Sequence, residues 1–191
     1  MRKSVLLAAL RLAALLAAGP SLADEAIDPG RIAAVTTGDF DKDGDIDLAM
    51  IVRPPQARGA DDNGIYVYLS DPSEGRMVLR SAAPNIVPNS FIYAGESVAI
   101  ASLQSGSILV TAKNDTPGQR HYEIRLTIAY RNLDFVVAGY SLKENVPNPL
   151  DCEINMLTGK GTVNGKPITG ATGAILLTQW SDDVGRQACR R

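Results

Sequence analysis

The stretch VTTGDFDKDGDIDLAMI, residues 35–51, indicates how this chain folds. It joins two runs of β-branched and apolar residues through a turn that carries five aspartates and Gly44. Short apolar runs separated by glycine and aspartate are typical of antiparallel strands. The stretch therefore predicts a β-hairpin whose turn holds a concentrated negative charge.

The turn places a carboxylate at every second position and a glycine at its sixth position. This spacing directs the first three side chains toward one centre, where carboxylates repel one another unless a cation neutralises them. Oxygen donors with no histidine or cysteine nearby favour Ca²⁺ over a transition metal. A solvated acidic turn without metal is the alternative. The candidate calcium ligands are Asp39, Asp41, Asp43, Asp45 and Asp47.

The loop is not an EF-hand, because its twelfth position is Met50 where an EF-hand has a bidentate glutamate, and its flanks are strand-like. It resembles the calcium loop of FG-GAP or VCBS-type repeats, the blade units of integrin α-chains and of many secreted bacterial proteins. The matching residues are Thr37-Gly38-Asp39-Phe40 and Asp47-Leu48-Ala49. The resemblance implies a β-hairpin that binds Ca²⁺ through side chains matching Asp39, Asp41, Asp43 and Asp47 and through the Asp45 carbonyl.

The rest of the chain continues the strand pattern. Alternation of apolar and polar residues is clear at 66–69 and 122–128, so these strands have one apolar and one polar face. The predicted fold class is all-β, an antiparallel meander of two blade-like four-stranded sheets, propeller-blade or sandwich-like, with a disulfide-linked C-terminal extension. The predicted strands are 32–37, 46–53, 64–70, 76–80, 97–103, 107–113, 121–130 and 135–140.

The two predicted sheets could be copies of one unit. Residues 98–110 align with residues 35–51, so that Ser102-Leu103 matches Asp39-Phe40. This predicts units 31–83 and 96–142 separated by residues 84–88, although any two hairpins look alike at this level. Two blades cannot close a propeller, so the sheets would pack face to face or be capped by the tail.

The amino terminus predicts export. Arg2 and Lys3 precede an apolar run at 5–18, and small residues at 21 and 23 suit a signal peptidase. We therefore predict a signal peptide at 1–23, a β-domain at 24–145 and a C-terminal extension of one or two hairpins at 146–191, in a periplasmic or secreted protein. A mitochondrial presequence is the alternative. The apolar run is shorter than the roughly 20 residues of a membrane-spanning helix, so no membrane span is predicted.

Two cysteines, Cys152 and Cys189, are the only ones in the sequence. An even pair in an oxidising compartment predicts a disulfide. Closing a loop of this length stabilises a protein by about 3 to 4 kcal/mol in the chain-entropy model. A zinc or catalytic thiol site is the alternative, but it lacks a C-x-x-C pair and has only His121 to recruit.

The charge of the chain and its motifs argue against two classes of function, nucleic-acid binding and catalysis. The chain has 19 basic and 21 acidic residues, and its basic residues form no stripe, which argues against a nucleic-acid partner. Ser97 lies in a Gly-Glu-Ser-Val-Ala run that superficially resembles a nucleophile elbow, but strand-like residues follow it where that motif needs a helix. No set of residues combines an acid, a base and a nucleophile.

The predicted function is therefore that of a non-catalytic, exported calcium-binding β-module that recognises an unknown protein or glycan partner in the periplasm or extracellular space. The alternative is a hydrolase of cell-envelope or extracellular polymers. Its catalytic groups would be Ser97 or carboxylates outside the calcium loop.

Overall fold

The computed structural model describes residues 27–55, 62–89, 94–145, 149–170 and 173–190. The predicted signal peptide lies outside these residues. The described part begins with a 3₁₀ turn at Pro29–Arg31 and ends with a second at Leu177–Gln179 and a helix, α1, at Asp182–Ala188. Between them the strands are β1 Ile32–Gly38, β2 Asp47–Val52, β3 Asn63–Asp71, β4 Arg76–Val87, β5 Glu96–Ser102, β6 Ile108–Asn114, β7 Tyr122–Arg131, β8 Asp134–Glu144, β9 Leu150–Asn155, β10 Lys160–Val163, β11 Lys166–Thr169 and β12 Ile175–Leu176.

The strands form two antiparallel sheets, which confirms the predicted fold class. Sheet A is the meander β1-β2-β3-β4. Sheet B begins as the meander β5-β6-β7-β8 and continues through β9, β10 and β11, while β12 also pairs with β8. Sheet B therefore has eight strands where four were expected. The reason is that β8 presents a long edge, and the C-terminal extension adds its own strands to it.

Strand β4 extends through the segment that was predicted to separate the two units. It reaches Val87 and includes Pro84, which has no N–H to donate and fits only at a sheet edge or a bulge. Both conditions hold, because β4 is the edge strand of sheet A and its register with β3 shifts beside Pro84. Asn85, with a φ of 60°, lies in the same irregularity. The expected separator is therefore a bulged strand end.

The two sheets and the C-terminal tail share one apolar core. Sheet A contributes Ile51 and Ile65, and sheet B contributes Val110, Leu126 and Leu142 from the face that alternation predicted to be apolar. The tail joins the same cluster through residues that include Ile154, Leu177 and Trp180. Burial of this surface from water is the main favourable contribution to folding.

The predicted disulfide is present. Cys152 on β9 and Cys189, directly after α1, are both buried and bonded, with their α-carbons 5.8 Å apart. The expected tail hairpins are β9-β10-β11, but α1 was not expected. A signal for it existed, because Ser181 occupies the N-cap position and Asp182 and Asp183 lie in the first turn, a pattern that favours a helix start.

Ion pairs fix α1 to sheet B beside the disulfide. Arg186 of α1 pairs with Asp182 and, at 2.6 Å, with Glu144 of β8. Burial alone would raise the pKa of Glu144, but hydrogen bonds from Arg186 and Arg120 leave that pKa lowered. A β-carbon at Gly185 would lie 2.6 Å from the Tyr140 ring, so only glycine permits this close approach. No helix in the described part of the chain is long and apolar enough to cross a membrane.

Candidate metal centre

The aspartate loop connects β1 to β2 at one end of sheet A. Its tight path uses left-handed backbone at Lys42 and Gly44, with φ values of 71° and 98°. Aspartate side chains hold the turn from within, because Asp43 N donates to Asp41 Oδ1 at 3.3 Å and Asp45 N donates to Asp43 Oδ1 at 2.8 Å. Such bonds are the reason that aspartate is favoured in turns. They tie the Asp41 and Asp43 carboxylates to the backbone two residues further along the loop.

Three of the five candidate ligands converge. Oxygens of Asp39, Asp41 and Asp43 all lie within 4.8 Å of one another. Asp39 Oδ2 accepts from Gly44 N at 3.2 Å, whereas Asp39 Oδ1 is buried and has no hydrogen-bond partner in the described part of the chain. Unpaired buried acceptors are uncommon because they lose hydration without replacement. The group therefore has an oxygen donor available for a cation.

The electrostatics of the group are unfavourable without a counter-charge. Burial raises the pKa of Asp41, and the neighbouring charges of Asp43, Asp47 and Asp39 raise it further, against a lowering effect of the Asp43 N–H bond. Asp43 is exposed, so the group is accessible from solvent. An all-oxygen donor set suits a hard cation such as Ca²⁺.

The other two candidates lie outside this group of three. Asp47 is fully buried, and both its carboxylate oxygens accept backbone hydrogen bonds, from Phe40 N at 2.7 Å and from Ser70 N at 3.0 Å. These bonds close the base of the loop and attach it to β3. The two-residue side-chain period of a strand gave the signal for this role, because it places Asp47 on the same face of β2 as Ala49 and Ile51, which are core residues.

The turn between β5 and β6 packs against the aspartate loop. A β-carbon on Gly106 of this turn would lie 2.9 Å from the Asp39 carbonyl oxygen and 2.8 Å from Lys42 Cε. Gly106 also has a φ of 77°, which glycine adopts without strain. Next to it, Ser102 N donates to Thr36 Oγ1 at 3.0 Å. The two turns that the repeat interpretation matches are thus in contact, although the repeat itself stays a prediction.

Ser97 lies within sheet B, whereas His121 lies just outside it. Ser97 of β5 pairs with Lys113 on β6. His121 directly precedes β7, and its Nε2 is 3.0 Å from the Thr116 carbonyl oxygen. His121 also lines a cavity of about 250 Å³, together with charged side chains that include Glu123.

The charged groups around this cavity are engaged in ion pairs. Lys113 pairs with Asp115 at 2.6 Å, and Glu123 pairs with Arg125 at 2.5 Å. Burial raises the pKa of Tyr122, which also lines the cavity, to about 12. Each of these charged side chains therefore already has a partner of opposite charge.

No protein-family model matches the chain, and comparisons with curated proteins and with solved structures return no significant match. The fold and the loop define the class of the molecule, which is an antiparallel all-β protein with a disulfide-linked tail and a group of three aspartates on one hairpin turn. The resemblance to FG-GAP or VCBS-type repeats stays a prediction.

Proposed function

We propose that this chain is an exported, non-catalytic calcium-binding β-module that recognises a protein or glycan partner in the periplasm or extracellular space. The observation that carries the proposal is the convergence of Asp39, Asp41 and Asp43 around a buried Asp39 oxygen that has no partner in the described residues. A bound Ca²⁺ would be coordinated by this oxygen, and its positive charge would offset the repulsion among the three carboxylates.

The disulfide supports the proposal that the protein is exported. A disulfide persists in an oxidising compartment and is rare in a reducing cytosol. The bond between Cys152 and Cys189 is therefore compatible with export. The antiparallel sheet also suits recognition, because binding residues are commonly carried on turns that a sheet holds in position.

The first prediction concerns calcium affinity. The mature protein should bind one Ca²⁺ with a Kd of roughly 10⁻⁴ to 10⁻³ M, as extracellular modules do. Asp43→Asn should weaken binding at least about tenfold, because it removes a ligand charge while it retains an oxygen that can accept from Asp45 N. Titration calorimetry measures both values. At about 2 mM Ca²⁺ the wild type should gain roughly 0.6 to 1.8 kcal/mol of stability.

Asp45→Asn is the matched control, because it removes the same charge from the same loop outside the group of three. Its Kd should change by less than about threefold. Absence of calcium heat and of a calcium-dependent thermal shift in the wild type would reject the metal site. Equal losses in the two variants would show that only the net charge of the loop matters.

A second prediction separates binding from catalysis. The cavity beside His121 is the observation that favours the hydrolase alternative. If the module is non-catalytic, Ser97→Ala and His121→Ala should leave partner binding unchanged, because neither side chain contributes to the calcium loop. The measurements are partner capture and a turnover assay on envelope polymers. Loss of turnover in either variant, at an unchanged melting temperature, would establish the hydrolase.

A further inference from the structure

Sheet A has apolar residues on both faces. One face belongs to the core. The other, here called the outer face of sheet A, carries two rows of side chains in cross-strand register. The rows contain no charged residue among the residues that the structure describes. They are Val35, Met50, Tyr66 and Ala82, and Thr37, Leu48, Tyr68 and Leu79.

The exposed apolar residues concentrate at this face. Four large hydrophobic side chains are exposed in the described part of the chain, and three of them extend or flank the two rows. Val35 lies within a row and is 55% exposed. Met77 and Ile46, 39% and 59% exposed, continue the alternation of Leu79 and Leu48. Exposed apolar side chains that gather on one face mark an interaction site, whereas scattered ones do not.

Sheet B shows the opposite design. Its outer face carries the row Ser97, Lys113, Glu123, Lys143 and Asp151 in cross-strand register. Opposite charges thus alternate along this row, which is the pattern of a solvated face. In sheet A the run from Leu48 to Val52 is continuously apolar, as in strands that are covered on both faces, and Met50 on the outer face is already only 8% exposed within the single chain. The outer face of sheet A therefore has the composition of a covered surface, whereas the outer face of sheet B has the composition of a solvent-exposed one.

We propose that the outer face of sheet A is a self-association surface on which a second copy of this chain packs about a two-fold axis. The occupant follows from complementarity. An uncharged face pairs with its own copy without burying an unpaired charge, whereas stacking it on the charged outer face of sheet B would desolvate lysines and acids. The assembly has the layer order B–A–A′–B′, with charged faces outside, and it closes at two chains.

The size of the face sets the strength of the association. Four strands spaced about 4.8 Å apart, each about seven residues long, have a footprint of about 450 Å² on each copy. A dimer would therefore bury at most about 900 Å² in total, because Met50 is already buried in the single chain. That total is at the low end for specific interfaces, which indicates a weak, reversible dimer. The proposal does not depend on calcium binding.

Sedimentation equilibrium of the mature protein tests the proposal. The average mass should rise from nearly one chain at about 1 µM toward two chains at about 200 µM, as a Kd of about 20 µM requires. Val35→Glu should weaken the association at least about tenfold, because it brings a carboxylate into each apolar face. Val35 is exposed on an edge strand, so this variant should keep its fold, and Met77→Glu should act in the same way.

Ala99→Glu is the matched control, because it places the same charge on an edge strand at the outer face of sheet B. It should associate as the wild type does. A wild type that remains monomeric at the highest concentration overturns the proposal and leaves the face to a different partner. Association that both sheet A variants retain, or a series of masses beyond two chains, overturns it as well.

Discussion

Replacement of Asp47 by alanine is expected to lower the free energy of unfolding by about 2 to 5 kcal/mol, because it leaves two backbone donors without an acceptor at a buried position. The donors are Phe40 N and Ser70 N, which now bond to the two oxygens of the fully buried Asp47 carboxylate. Urea denaturation measures the loss. The loss should appear in calcium-free buffer too, because the backbone bonds need no metal.

Asp45→Ala serves as the matched control for Asp47→Ala. It removes the same charge from the same loop at a partly exposed residue, so its effect should stay within about 0.5 kcal/mol. If Asp47→Ala were destabilising only when calcium is present, the carboxylate would act as a metal ligand and its bonds to the loop would be secondary.

Loss of the disulfide should lower the free energy of unfolding by a similar amount. Cys152→Ser is expected to lower the free energy of unfolding by about 2 to 5 kcal/mol, because the unfolded chain regains the freedom of the loop that the bond closes. The two cysteines are 37 residues apart, and both are buried where the tail joins sheet B. The denaturation midpoint of the exported protein measures the change.

Cys189→Ser should match Cys152→Ser, since either change opens the same loop. The intact mass of the wild type should also be about two hydrogens below that of the fully reduced chain, as one disulfide requires. Two titratable thiols in exported material would contradict both the bond and the oxidising compartment. An unchanged midpoint in both variants would show that strand pairing, core packing and ion pairs hold the tail without the bond.

Local patterns predicted most of the strands. The alternation of residues 122–128 recurs in β7, and the apolar runs around the aspartate loop recur as β1 and β2. These elements were predictable because the side-chain period of a strand is a local property. The same reasoning failed at Pro84, where a bulge at a sheet edge accommodates a residue that usually ends a strand.

The candidate metal site was predictable in part, because some of its geometry is also local. The spacing of Asp39, Asp41 and Asp43 predicted their convergence, because a short turn sets its own geometry. The bond from Ser70 N to Asp47 was not predictable from that spacing, since it joins residues 23 positions apart. Only the pairing of β2 with β3 brings this donor to the carboxylate.

The sequence by itself determined the antiparallel strands, the acidic turn and the presence of two cysteines, since each depends on neighbouring residues. The tertiary structure alone decided that the tail extends sheet B, that α1 is fixed to β8 through Glu144, and that one face of sheet A stays apolar beyond the core. Those outcomes depend on which edges and faces meet in space. A one-dimensional pattern records the period of a strand, but it does not record which neighbour covers each of its faces.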